Sequence, residues 1–366
     1  MEITAAVANS VDTPFELKTL ELKEPGPDEL LVKIHASGVC HTDAAVKEQH
    51  IPAPLPMVLG HEGAGVVEVV GANVQGYEVG DHVLMSFDSC GSCPACKKGS
   101  PTYCANFVVL NILGDLITGS TRLSDAGQPT NGSFFGQSSF ATHAVVTTRN
   151  LVKIDKDLPL NLLAPLGCGI QTGMGTIMNT LAPSASSSLA IFGTGSVGLS
   201  GVMAAKITGC SKIIAVDIMQ SRLDLAAELG ATHTMDGSDP QKVVAQIHEI
   251  TGGGVNFSFD TTGVPAVARA ALDAMCSQGV LALVAAPPGG TELSIDIPMT
   301  VTTGKTIRGV IEGDAVPSEF IPRLIEFYRA GQLPLEKMIT TYPFDQINQA
   351  FDDVETGKTV KPVLVM

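Results

Sequence analysis

No run of about 18 consecutive apolar residues occurs in this 366-residue chain, so a membrane-spanning helix is not expected. The opening residues, MEITAAVANS, lack the basic stretch and apolar core of a secretory signal, which makes the cytoplasm the expected compartment. There is also no block of Lys and Arg. With 22 of these against 37 Asp and Glu, the formal net charge is −15, which argues against nucleic acid and anionic membranes as partners. Internal repeats and low-complexity segments are missing as well. An apolar share of 45% beside 16% charged residues excludes a disordered chain, and the length suffices for two domains with ample cores.

Cysteine is what the chain does have, and it is unevenly placed. Four of the eight cysteines lie between Cys90 and Cys104. In a long chain without an export signal such crowding reads as metal binding before disulfides. The order Cys90-Gly-Ser-Cys93-Pro-Ala-Cys96, then Cys104, can close four thiolates around one Zn²⁺ on a single lobe. A closed shell of four sulfurs leaves no open position, so this site is expected to be structural. An iron–sulfur cluster or a redox pair uses the same residue types, and zinc is preferred over both.

The first 150 or so residues read as short β segments with irregular connections, and the stretch from Cys104 to about Gly136 reads as loop. From Leu162 the rhythm changes. APLGCGIQTGMGTIMNTL reads as one helix rich in small residues, after which strands and helices alternate: SLAIFG, KIIAVD, FSFDTTG and GVLALVAA are the strands. Such alternation implies a parallel, doubly wound sheet. FIPRLIEFYRAG reads as a late helix and KPVLVM as a closing strand.

Two further patterns carry chemistry. Gly193-Thr-Gly195-Ser196-Val197-Gly198 sits between a strand and a helix, and Asp217 ends the next strand, 19 residues beyond Gly198. Glycines in that context let a pyrophosphate approach a helix N-terminus, and the acid can accept the ribose hydroxyls while repelling a 2′-phosphate. NAD is therefore expected over NADP, with Arg222 placed to meet the adenosine ribose or a phosphate oxygen. The other pattern is dispersed. Gly60-His61-Glu62-Gly63 offers an imidazole beside a carboxylate, and Cys40 and Cys168 could join His61 around a zinc with one open position. Each of these three also has a bland reading, as a hydrogen-bonded core histidine or a small packed cysteine.

Taken together, the four-cysteine lobe, GHEGAG, GTGSVG and GCGIQTG resemble the zinc-dependent medium-chain alcohol dehydrogenases over essentially the whole sequence. Within that family CHTDAAV, PLGCGIQTG, AVDIMQSRL and FIPRLIEFY are most similar to the bacterial aryl (benzyl) alcohol dehydrogenase branch. The resemblance implies an α/β protein with an irregular β-rich, GroES-like catalytic domain, residues 1–169 and 311–366, and a Rossmann NAD domain, residues 170–310. It implies two zincs per chain: a catalytic one on Cys40, His61 and Cys168, and a structural one on Cys90, Cys93, Cys96 and Cys104. Glu62 would stand just behind the catalytic metal, Asp43 would orient the His61 ring, and Thr42 would hydrogen-bond the reacting oxygen. Thr172 would lie near the nicotinamide and Lys361 near the pyrophosphate.

The sequence departs from the family pattern at His41, where many relatives carry an arginine for the pyrophosphate, and at Ala45, where many carry a relay histidine. The proton exit would then run through water, His41 or His50. The expected reaction is reversible, NAD-dependent oxidation of primary alcohols, aromatic or allylic ones such as benzyl alcohol or geraniol by branch resemblance. The site would lie in a cleft between the domains, in a homodimer or homotetramer. A glutathione-dependent formaldehyde dehydrogenase, a non-catalytic zinc-containing interaction protein, and a dinucleotide-binding relative without its metal are the alternatives.

Overall fold

A computed structural model describes residues 1–366, except for the side chain of Thr118. The chain divides into two compact units: Met1–Cys168 with Val316–Tyr328 and Leu335–Met366, and Gly169–Ala315 with Arg329–Pro334.

The first unit is built on two sheets. In the larger, Glu29–Gly38 is the central strand, pairing antiparallel with Gly63–Val70, with His143–Thr147 and with the closing strand Lys361–Val365. Its pairing with Gly63–Val70 slips twice, between Leu31 and Val32 and between Ile34 and Ala36, so the sheet bends there. The smaller sheet runs Met57–Val58, Glu2–Ala8, Glu16–Leu22, Leu123–Asp125, Gln128–Thr130. Leu30, Val32, Ile34, Val67, Val83 and Met85 alternate into one core, while Phe15, Phe87, Phe134 and Phe140 fill another.

The second unit is a six-stranded parallel sheet in the order His233–Asp236, Lys212–Asp217, Ser188–Phe192, Val255–Asp260, Met275–Leu283, Thr306–Gly309. In chain order this is 3-2-1-4-5-6, the doubly wound arrangement that places its switch point at the first strand. The helix Ser196–Ile207 follows that strand directly, as the glycine pattern requires.

Two expectations need correction. Residues 104–136 are not all loop: they contain the helix Phe107–Asn111 and a hairpin, Leu123–Asp125 with Gln128–Thr130. These are held by buried amides such as Asn111, which bonds to Asp88 and Phe107 carbonyls, and so carry no apolar rhythm. The stretch from Ala164 is also not one helix. A short turn ends at Gly167, Cys168 leaves helical space at φ −146°, ψ −79°, and a new helix runs Gly169–Gly175. The break falls on the cysteine singled out as a metal ligand.

Candidate metal centre and dinucleotide fingerprint

Three loops of the first unit meet at one largely buried point. Cys40 lies two residues past the central strand and caps the helix His41–Lys47, His61 lies just before Gly63–Val70, and Cys168 stands at the helix break. The ligand atoms of Cys40, His61, Glu62 and Cys168 all lie within 4.8 Å of one another. Asp43 ties two of these loops. Its carboxylate, fully buried, accepts from Cys40 N at 3.0 Å, Gly60 N at 3.0 Å and His61 Nδ1 at 2.9 Å. With Nδ1 donating to the carboxylate, the Nε2 lone pair of His61 is left for another partner. That nitrogen is buried and has no hydrogen-bond partner, although buried polar atoms seldom lack one.

The electrostatics also ask for a cation. A hydrogen bond with Cys168, and then the charges of His61 and Lys361, hold the Cys40 thiol well below its ordinary range. Burial disfavours a charged His61, yet the Asp43 carboxylate and the Cys40 thiolate outweigh it and raise its proton affinity. Ligand atoms that favour bound positive charge are the kind a divalent ion would satisfy in place of protons. Two sulfurs and one imidazole suit zinc, so the residues fit that metal.

Glu62 completes the group without being its natural fourth ligand. Its oxygens lie 2.7 and 2.6 Å from the ammonium of Lys361, which is itself buried and also donates to the Val39 carbonyl at 2.9 Å. Burial pushes the Glu62 carboxyl up to about 7, and the Lys361 charge opposes that rise. With its carboxylate held by the ammonium, Glu62 would be kept from a bound metal, leaving a fourth position for another ligand. The ammonium of Lys361, which the resemblance places near the pyrophosphate, is engaged in this pair. Thr42 Oγ1 lies 3.9 Å from Cys40 Sγ, His41 is exposed at the start of the same helix, and Ala45 is buried. His50 is exposed and reaches Glu48 at 3.3 Å.

Cys90, Cys93, Cys96 and Cys104 form a second cluster within the same 4.8 Å limit. Backbone N–H groups of Cys93, Cys90, Ala105 and Asn106 point at its sulfurs, at 3.3–3.5 Å. The Ser92 backbone and hydroxyl lower the Cys90 thiol to about 6. Four sulfurs with thiolate-directed N–H groups fit a closed zinc site.

In the second unit, Gly193 (φ 86°) turns the chain, and Gly195 caps the helix that begins with Ser196, Val197 and Gly198. A Cβ on Gly198 would meet the Gly193 carbonyl at 1.9 Å, so only glycine allows the turn to pack this closely. Asp217 accepts from Thr194 N at 2.6 Å, Thr194 Oγ1 at 2.8 Å and Met219 N at 3.0 Å, which pins it beside the fingerprint. Arg222 is buried, and burial lowers its pKa against the pull of Asp217. A cavity of about 360 Å³ lies over Gly193, Asp217, Ile218, Val264 and Val267. Thr172 is buried in the helix Gly169–Gly175.

Sequence reasoning missed Phe134 and Phe135, whose rings lie against His61 at 5.4 Å edge-on and 4.5 Å stacked. It also missed Ser86 and Gln137, which bear no charge and no motif. The doubled Phe before a Gly is the only local hint.

Residues 26–156 match the family model described as an alcohol dehydrogenase GroES-like domain, and residues 196–330 the zinc-binding dehydrogenase model. Over 99% of this chain and 97% of its own length, the geraniol dehydrogenase of Castellaniella defragrans is 43% identical. Two solved structures are similar over 100% of this chain and 99% of theirs. They are an alcohol dehydrogenase zinc-binding domain protein from Burkholderia ambifaria (48% identical, TM-score 0.97) and benzyl alcohol dehydrogenase from Acinetobacter calcoaceticus (46%, 0.96).

Proposed function

Since the chain belongs to the zinc-dependent medium-chain alcohol dehydrogenase family, and alcohol oxidation is its activity, we propose that it oxidises aromatic or allylic primary alcohols to aldehydes with NAD. The observation that carries the reading is the Cys40–His61–Cys168 set, with His61 and Cys168 buried and Glu62 paired with Lys361. Zinc bound there supplies a Lewis acid that stabilises negative charge on the substrate oxygen. The chain's own residues do the rest. Asp43 fixes the His61 ring, and Thr42 hydrogen-bonds the hydroxyl and takes its proton onward. The glycine turn and Asp217 seat the dinucleotide, and the carboxylate selects against a 2′-phosphate.

The substrate class is supported by the names of two relatives, a geraniol and a benzyl alcohol dehydrogenase, and by the Phe134 and Phe135 rings beside His61. A homo-oligomer built on the edge strand Thr306–Gly309 is supported by the exposed Ile297, Met299 and Val301 nearby in sequence. The test is an initial-rate panel with metal content measured on the same sample. Benzyl alcohol, cinnamyl alcohol and geraniol should far outrun ethanol, with two zincs per chain and a preference for NAD. Activity confined to a glutathione–formaldehyde mixture would refute the substrate class.

A further inference from the structure

Asp43 joins the Cys40 and His61 loops but does not reach the third ligand, Cys168. Another side chain does that by two steps. Gln137 is buried, 2% exposed, and donates through Nε2 to the His61 carbonyl at 3.0 Å and to the Ser86 carbonyl at 3.1 Å. Its Oε1 accepts from Gly63 N at 3.0 Å. Ser86 in turn donates from Oγ to the Gly167 carbonyl at 2.6 Å, one residue before Cys168. The amide orientation is fixed by its partners, since a flipped amide would oppose two carbonyls to one carbonyl and two N–H groups to each other.

The setting is purpose-built. A Cβ on Gly63 would come within 2.9 Å of Gln137 Oε1 and 2.4 Å of Met85 Cε, so Gly63 makes the room. Ser133, Phe135 and Ser138 all hold positive φ, at 59°, 50° and 52°, in the six-residue turn that carries Gln137. Non-glycine residues persist there only when their surroundings over-determine them, and such positions gather at functional sites. A core position that needed only filling would hold an apolar residue, because a buried amide is costly unless fully bonded.

We propose that Gln137 and Ser86 are positioning residues that set the separation of His61 and Cys168, and thereby the geometry of the catalytic metal. The inference rests on the zinc reading above. Zinc release to a chromogenic chelator should show two phases in the wild-type holoprotein, and the phase missing from His61→Ala is the catalytic one. Gln137→Glu keeps the acceptor and the shape but loses both donors; Ser86→Ala removes the second step. Each should weaken metal binding at that site about 10- to 100-fold while the four-cysteine phase keeps its rate. The double variant should lose no more than about the worse single, because the two act in one chain.

Cobalt substitution adds a readout that a merely structural role would not move: the ligand-field bands of the catalytic site should shift in Gln137→Glu. Wild-type release and unshifted cobalt bands in both variants would overturn the proposal, as would equal acceleration of both phases. If Gln137→Glu does not fold, Ser86→Ala decides alone. A wild-type protein holding only the four-cysteine zinc would refute the underlying zinc reading instead.

Discussion

Removing either member of the Glu62–Lys361 pair should have opposite signatures. At 2.6 Å, with an effective dielectric of about 20, the two charges attract by about 6 kcal/mol, against a burial penalty of several kcal/mol for each ion. Breaking a buried pair by losing one partner costs about 3–5 kcal/mol, because the survivor is left uncompensated. Glu62→Gln should incur that whole cost, since Lys361 keeps only a neutral amide and the Val39 carbonyl. Lys361→Met should cost less, because the released carboxylate lies within reach of the metal site. Turnover should nevertheless fall steeply, with zinc retained, as Glu62 fills the fourth position. The double variant Glu62→Gln/Lys361→Met removes both charges and should recover most of the stability and of the turnover. The chain has no Trp, so urea unfolding is best followed by far-UV circular dichroism, with zinc content and kcat measured in parallel. Equal losses of turnover in the two single variants, or a double variant equal to the sum of the singles, would refute the reasoning.

Asp43→Asn puts an amide N–H against one of three N–H groups, and should speed loss of the catalytic zinc by about 10- to 100-fold without touching the four-cysteine zinc, as chelator release would show. Asp217→Ser removes the charge that repels a 2′-phosphate, and the NAD-over-NADP ratio of kcat/KM should fall by at least about tenfold. Asp81 is buried and accepts from Lys153 Nζ at 2.7 Å and Glu78 N at 2.9 Å; burial alone would raise its pKa, but these bonds lower it. A depressed folded value adds stability above the unfolded pKa of about 3.9, lost as pH falls through the folded value. Asp81→Asn should therefore flatten the dependence of Tm on pH below about 4, and an unchanged slope there would refute the assignment.

How much of this was legible depended on whether a feature is local. Cys90 to Cys104 and Gly193 to Gly198 announce themselves because metal and phosphate binding demand fixed residue types at short spacing. The strand and helix alternation of the second unit could be read for the same reason. What escaped depends on contacts far apart in the chain. Lys361 meets Glu62 across 299 positions, and Gln137 meets His61 across 76. The helix break at Cys168 was hidden because GLY-rich, small-residue sequence is compatible with either continuation or interruption, and only the partners of Gly167 decide it.

Two kinds of force divide the metal centre between them. Asp43 accepts from backbone N–H groups of the ligand loops, and Gln137 and Ser86 donate to backbone carbonyls there, so these bonds set where Cys40, His61 and Cys168 stand. The Glu62–Lys361 ion pair, by contrast, is a side-chain contact between the residue after His61 and the closing strand, and it would set whether a fourth position on a bound metal is open. Damage to the first set should release the metal before the remaining protein loses its capacity to turn over. Damage to the second should leave the metal bound and the enzyme slow. A variant that loses metal on Lys361→Met, or keeps metal and loses turnover on Ser86→Ala, would show that position and vacancy are not separately controlled.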